Sequence, residues 1–177
     1  TLNEGKTFSA DTTDLYKIRE MEGVISLTEV LEETALLEYS KKQYIGQMKG
    51  VSQDFLIENG IDSMMWDGEF RLRDKAGPLA VVGYGVAYYL GIGVKFTNPL
   101  HVYVPSRDTR VFTNPEKAFN RQSIFPKGIF SIQNDYDSKY VIVPIGFARE
   151  LLEAPDAVTS LEVRLGPGLS QSGRDAL

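Results

Sequence analysis

The sequence predicts an α+β fold in which strand–helix–strand (βαβ) units accompany a mostly β stretch. Three observations carry this. Residues 140–165 read strand, helix, strand: Tyr140–Val143 is β-rich, Phe147, Leu151 and Leu152 share a helical face, and Leu161, Val163 and Leu165 alternate with Glu162 and Arg164. Such an order implies a parallel pair joined by a crossover. Residues 24–51 hold long β-rich runs around Lys41-Lys42. Helical spacing, by contrast, is confined to short stretches punctuated by Gly or Pro.

Each element has a local reason. Asp11-Thr12-Thr13-Asp14 forms an N-cap cluster, Leu15, Ile18 and Met21 follow at helical spacing, and Gly23 supplies the C′ stop. Val24–Val30 is β-rich, and Thr34–Tyr39 and Gln43–Val51 flank a hairpin tip at Lys41-Lys42. Glu32, Glu33 and Glu38 interleave with apolar positions, which suits a long ribbon with one wet face. Ser52–Ile57 is a short helix broken by Asn59-Gly60. Met64, Met65 and Trp66 make an apolar knot before the Asp67-Gly68 turn, and Glu69–Arg73 is a short strand. Gly77-Pro78 opens a helix over 79–91, on which Val82, Val86, Tyr89 and Leu90 share a face. Asn98-Pro99 turns the chain into a strand at 100–104, where Leu100, Val102 and Val104 alternate with His101 and Tyr103. Residues 105–127 carry three prolines, five Lys/Arg and no sustained period, and so read as a long loop. Pro144 starts the helix that ends before Pro155, and Gly166–Leu177 is linker-like.

With 177 residues, 42% hydrophobic and 24% charged, the chain can bury a core and is not compositionally disordered. A net charge of −5 argues against nucleic acid, which needs clustered Lys/Arg, and against a surface drawn to anionic lipid. The absence of cysteine removes disulfides, zinc-thiolate sites and thiol catalysis. The longest apolar run, Leu79–Ile92, is short of a membrane span and contains Gly83, Gly85 and Gly91. The start at Thr1 suggests a soluble fragment of a longer protein.

No stretch carries a complete chemical constellation. The only histidine is His101, mid-strand, and Gly168-Leu169-Ser170-Gln171-Ser172 lacks the second glycine of a nucleophile elbow. Asp135 and Asp137 offer two hard oxygens around Tyr136, but calcium takes six to eight, so a turn is the better reading. Gly83-Tyr84-Gly85 begins like a dinucleotide fingerprint, yet Tyr88 stands where the third glycine belongs. Close helix packing explains these glycines more simply. No catalytic, cofactor-binding or metal-binding residue is assigned, and none is expected. The sharper candidates are Phe112, Pro115 and Phe119 in the loop 105–127, among Arg107, Arg110, Lys117 and Arg121. Aromatic anchors among basic residues suit a partner surface; the alternative is that the phenylalanines tuck into the domain's own core.

Four stretches, in order, support a family resemblance. They are LNEGKTFS (2–9) leading to Glu22-Gly23-Val24, GQMKGVSQDF (46–55), VVGYGVAYYLGI (81–92) with LHVYVPSR (100–107), and GIFSIQNDYDSKYVIVPIGFARELL (128–152). Together they resemble the extracytoplasmic domain of ABC-transporter permeases of the MacB/FtsX/LolC–LolE type. One departure is Thr97-Asn98-Pro99 in place of that family's Gly-Asp before the strand.

The resemblance implies a split architecture. A porter-like α/β subdomain would be built from 1–55 and 134–177, the latter truncated, with a mostly β, sabre-like insertion at 56–133. It implies a non-enzymatic domain on the periplasmic side of the inner membrane that binds no cofactor. Such a domain would pass the conformational change of ATP hydrolysis, made in a separate ATPase subunit, to lipoprotein release or efflux. Its partners would be a second permease protomer and a periplasmic carrier or outer component. The competing reading is a secreted module for a small ligand or glycan that uses Trp66 and the tyrosines.

Overall fold

The computed structural model describes residues 7–9, 12–55, 61–93, 95, 98–106 and 118–166. The expected first helix is α1 (Thr12–Arg19), and Gly23 takes φ +87° where the chain leaves it. A two-residue strand β1 (Phe8–Ser9) precedes it. Strand β2 (Val24–Tyr39) is a single run of 16 residues, so the two β-rich stretches expected there are one strand. It turns into β3 (Lys42–Val51) through Ser40 and Lys41, one residue earlier than expected, with Tyr39 paired to Lys42. Both turn residues have positive φ, +48° and +72°. That is the backbone a two-residue hairpin needs to match the strand twist.

A short 3₁₀ turn, Ile61–Met64, leads into β4 (Met65–Gly68). The strand expected at Glu69–Arg73 is absent; only Arg73 makes an isolated bridge, to Pro78. The helix expected over 79–91 is shorter. Leu79–Gly83 is instead strand β5, buried along its whole length, and the helix α2 is Tyr84–Leu90. A short continuous apolar run fits a buried strand and a buried helix equally well; here pairing on both edges, with β7 and β8, decides. After β6 (Leu100–Pro105) comes β7 (Phe119–Phe130). The stretch 119–127 of the expected loop 105–127 is therefore strand. Its alternation is hidden because five of the first six side chains are polar or exposed, and only register against β6 fixes it. The chain ends with α3 (Asn134–Asp137), β8 (Tyr140–Pro144), α4 (Ile145–Leu151), β9 (Ala157–Val158) and β10 (Ser160–Leu165).

The strand–helix–strand unit at 140–165 does not make adjacent parallel strands. The sheet order is β10-β2-β3-β8-β5-β7-β4, so β2 and β3 lie between β8 and β10. β3 and β8 are the parallel neighbours. β6 closes the path by pairing with both β2 and β7. The result is a hydrogen-bonded ring, β2-β3-β8-β5-β7-β6, with β10 and β4 attached outside it. The ring draws strands from residues 1–55, 56–133 and 134–177 alike.

One apolar cluster takes residues from all six ring strands and from α2 and α4, among them Leu37, Met48, Val82, Leu90, Val102, Ile124, Val143 and Leu151. A second cluster lies on the opposite strand faces: Val30, Val51, Val81, Phe130 and Ile142, joined by Phe55 and Leu72. Alternate residues of β5 and β8 thus feed two cores, which is why these strands read as unbroken apolar runs.

The hairpin tip generates a test. Ser40 and Lys41 hold a left-handed backbone that Asn and Gly adopt at lower cost. The double change Ser40→Asn, Lys41→Gly should raise stability by about 1 kcal/mol, read as a higher midpoint in urea at unchanged slope.

Candidate functional site

Of the three residues singled out by sequence, only Phe119 is described. It is the first residue of β7, opposite Pro105, and 56% exposed. Phe112 and Pro115 lie outside the described residues. Arg121, expected among the loop's cations, stacks over the Tyr103 ring at 5.3 Å across the β6–β7 pair.

His101 is a strand residue, as read. Its Nδ1 lies 2.7 Å from the Ser123 Oγ directly across on β7, and both side chains are exposed. Glu38 stands in register on the other side, on β2, where its carboxylate accepts from Gln43 Nε2 at 2.9 Å. The three form a solvent-facing row on the sheet, and none of the described clefts is lined by them.

The glycines of 81–92 serve close packing. A Cβ on Gly83 would stand 2.3 Å from the Asp137 carbonyl oxygen, and one on Gly85 would stand 2.5 Å from Ser138 Oγ. The β5–α2 junction therefore seats α3 at backbone distance. A strand does precede Gly83, contrary to expectation, and its glycine face is packed against α3. The acidic turn is likewise structural. Asp137 is buried and accepts hydrogen bonds from Ser131 Oγ (3.0 Å) and the Ile132 backbone N–H (2.8 Å), tying the end of β7 to α3. Among the described residues no group of acidic or histidine side chains has the arrangement of a metal site.

Two further features emerge, of which only the second, built on Trp66 and the tyrosines, was singled out by sequence. The first is a buried ammonium. Lys49, on β3, is 7% exposed and donates to Glu162 Oε1 of β10 at 2.7 Å, with Glu32 Oε1 of β2 at 3.5 Å and the Phe55 ring 5.6 Å away. Burial pushes its pKa down, but the hydrogen bond and charge of Glu162, with Glu32 beyond, more than offset this and hold it above 10.5. The group stands at the floor of a cleft of about 370 Å³ walled by Phe55, Phe130, Tyr136 and Tyr140, with Glu162 at its side. Sequence reading did not single out Lys49; strand register sets it opposite Glu32, and Glu162 arrives through β10. The second feature is an exposed aromatic row. Trp66 meets Tyr84 at 5.0 Å and Tyr84 meets Tyr88 at 6.3 Å, with Trp66 and Tyr88 65% and 79% exposed. Tyr89, beside them on α2, packs on Tyr44 of β3.

Against this geometry, three solved structures align over nearly the whole chain. The extracellular domain of the noncanonic ABC-type transporter YknZ from Gram-positive bacteria matches with TM-score 0.65 at 11% identity, covering 98% of this chain and 79% of that one. The periplasmic region of MacB from Actinobacillus actinomycetemcomitans matches at 0.63 and 10%, covering 96% and 71%. A domain assigned to a permease protein from Porphyromonas gingivalis matches at 0.53 and 21%, covering 97% and 68%. The chain has the fold of ABC-transporter permease ectodomains. No protein-family model matches the sequence, and no curated protein sequence does. The permease-ectodomain fold accounts for the α+β class and for the order of the four stretches that resemble it. No described helix is long and apolar enough to cross a membrane.

Two tests follow from these contacts. Gly83→Ala drives its methyl into the Asp137 backbone and should cost about 2 kcal/mol or more, seen as a lower thermal midpoint, whereas Gly146→Ala, with open space around it, should change little. At Lys49, removing both acceptors (Glu32→Gln with Glu162→Gln) leaves a buried ammonium uncompensated and should cost about 3 kcal/mol. Lys49→Met should cost far less, because the two carboxylates are partly hydrated. Because its folded pKa is raised, the Lys49 contribution is fully present below about pH 10.5 and is lost as pH rises through the folded value. Alkaline denaturation should be shallower in Lys49→Met than in the native chain.

Proposed function

We propose that this chain is the periplasmic-side domain of an inner-membrane ABC-transporter permease and that it works by transmitting motion, not by catalysis. The observation that supports this most is the permease-ectodomain fold over 96–98% of the chain. The long strand β2 agrees with it. Leu165 of β10 pairs with Val24 at the start of β2, and Gly166 N–H donates to the Gly23 carbonyl. From Val24 β2 runs 16 residues, about 50 Å of extended chain, to the Ser40–Lys41 tip. A strand of that length, paired on at least one edge throughout, is a strut that moves as a rigid body.

On this reading the porter-like part comprises 1–55 and 134–177, with 56–133 as the sabre-like insertion whose strands complete the ring. An ATPase subunit would drive the motion indirectly, beside a second permease protomer. A periplasmic carrier or outer component would dock at the segment 105–127 through Phe112, Pro115 and Phe119. The cargo would be a lipoprotein or an effluxed compound. The competing reading, a small-ligand or glycan module, is favoured by the exposed Trp66–Tyr84–Tyr88 row, since stacked rings suit sugar faces.

The parent gene separates these readings. Apolar segments of about 20 residues on both sides of the domain are expected of a permease, and their absence would sink that reading. In the intact transporter, Phe112→Ala with Phe119→Ala should reduce crosslinking to the soluble carrier at least about tenfold, the size of a lost aromatic anchor. Unchanged crosslinking would remove the docking role from 105–127.

A further inference from the structure

The cleft over Lys49 has the composition of a binding site that neither reading uses. Its walls are ring faces and apolar side chains: Phe55, Phe130, Tyr136 and Tyr140, with Tyr136 and Tyr140 packed at 4.8 Å. Its volume, about 370 Å³, falls in the range of small-molecule sites. The charges at its floor do not cancel. One ammonium, Lys49, faces two carboxylates, Glu162 at 2.7 Å and Glu32 at 3.5 Å, which leaves one negative charge in excess. Glu162 lines the cleft and its side chain is 46% exposed, so that excess is open to an occupant. The rings already receive cations from the protein itself. Lys49 stands over Phe55 at 5.6 Å, and Lys139, which does not line the cleft, stands over Tyr140 at 4.9 Å.

We propose that this cleft binds an organic cation with an apolar body, the cation meeting Glu162 and the ring of Tyr136 while the body lies against Phe55 and Met64. An anion is disfavoured at the floor: it would be a third negative group around Lys49. A neutral apolar molecule would leave the excess charge unanswered beside it. Aromatic walls and a carboxylate together are the chemistry that recognises alkylated ammonium groups. This proposal stands apart from the transport reading and survives its failure.

The test is a titration of the intact chain, followed by backbone NMR shifts, with benzyltrimethylammonium, its uncharged carbon isostere and phenylacetate. The ammonium should shift residues of β3, α3 and β10, and bind at least about fivefold tighter than either control. Glu162→Gln and Tyr136→Leu should each weaken it about fivefold. Lys49→Met should tighten it, because it removes the one positive charge at the floor. Glu32→Gln, which alters the charge without touching the cleft wall, should weaken it and stands in for Glu162→Gln if that variant fails to fold. Equal or tighter binding of phenylacetate or of the neutral isostere, loss of ammonium binding in Lys49→Met, or no shift with any probe would overturn the proposal.

Discussion

The hydrogen-bonded ring closes because β2 is long enough to change partners along one edge. Its inner edge pairs with β3 over Val30–Tyr39. Its outer edge serves β10 at Val24–Val30 and β6 at Leu36–Glu38. Between them no described strand pairs with this edge, and side chains take two of its N–H groups. Glu32 N–H donates to the Thr159 hydroxyl, and Thr34 N–H to the Glu33 carboxylate. A strand in this position cannot leave such groups unpaired without a penalty comparable to a lost hydrogen bond. β7 makes the matching change of partner, from β6 to β5 and β4. Two long strands thus convert an open sheet into a ring and give α2 and α4 a common core.

Close approach is the second requirement. Gly50 admits Ala148 of α4 against β3, where a Cβ would meet that methyl at 2.5 Å, and Gly83 and Gly85 admit the α3 turn against β5–α2. These contacts hold both helices close against the strands that carry the apolar cluster. Asp137 adds the polar half of the joint by holding the turn that returns the chain from β7 to β8.

The second core is where polarity enters. Lys49 lies under Phe55 with two carboxylates for one ammonium, on three adjacent strands, β10, β2 and β3. A charge so enclosed persists only with partners in place. Those partners also set the sign of the cleft beside it. Fold stability and ligand preference are coupled there through the same three side chains.

Much of this was legible in the residues themselves. Local steric and capping preferences fixed α1, the β2–β3 hairpin, β6, β8 and α4, because their apolar periods and Gly or Pro stops are intrinsic to the chain. The identity of Leu79–Gly83 and of Phe119–Phe130 was not legible. The first is an apolar run compatible with either element, the second a polar run with one inward side chain before Phe125. Both become strands because neighbours offer them backbone partners. Order and spacing also carried the permease resemblance, which survives at 10–21% identity since it rests on pattern and not on particular side chains. Tertiary structure alone decided the ring, the separation of β8 from β10 and the meeting of Lys49, Glu32 and Glu162. Those depend on strand pairing between residues as far apart as 24 and 165, and no local preference specifies which distant edge a strand will choose.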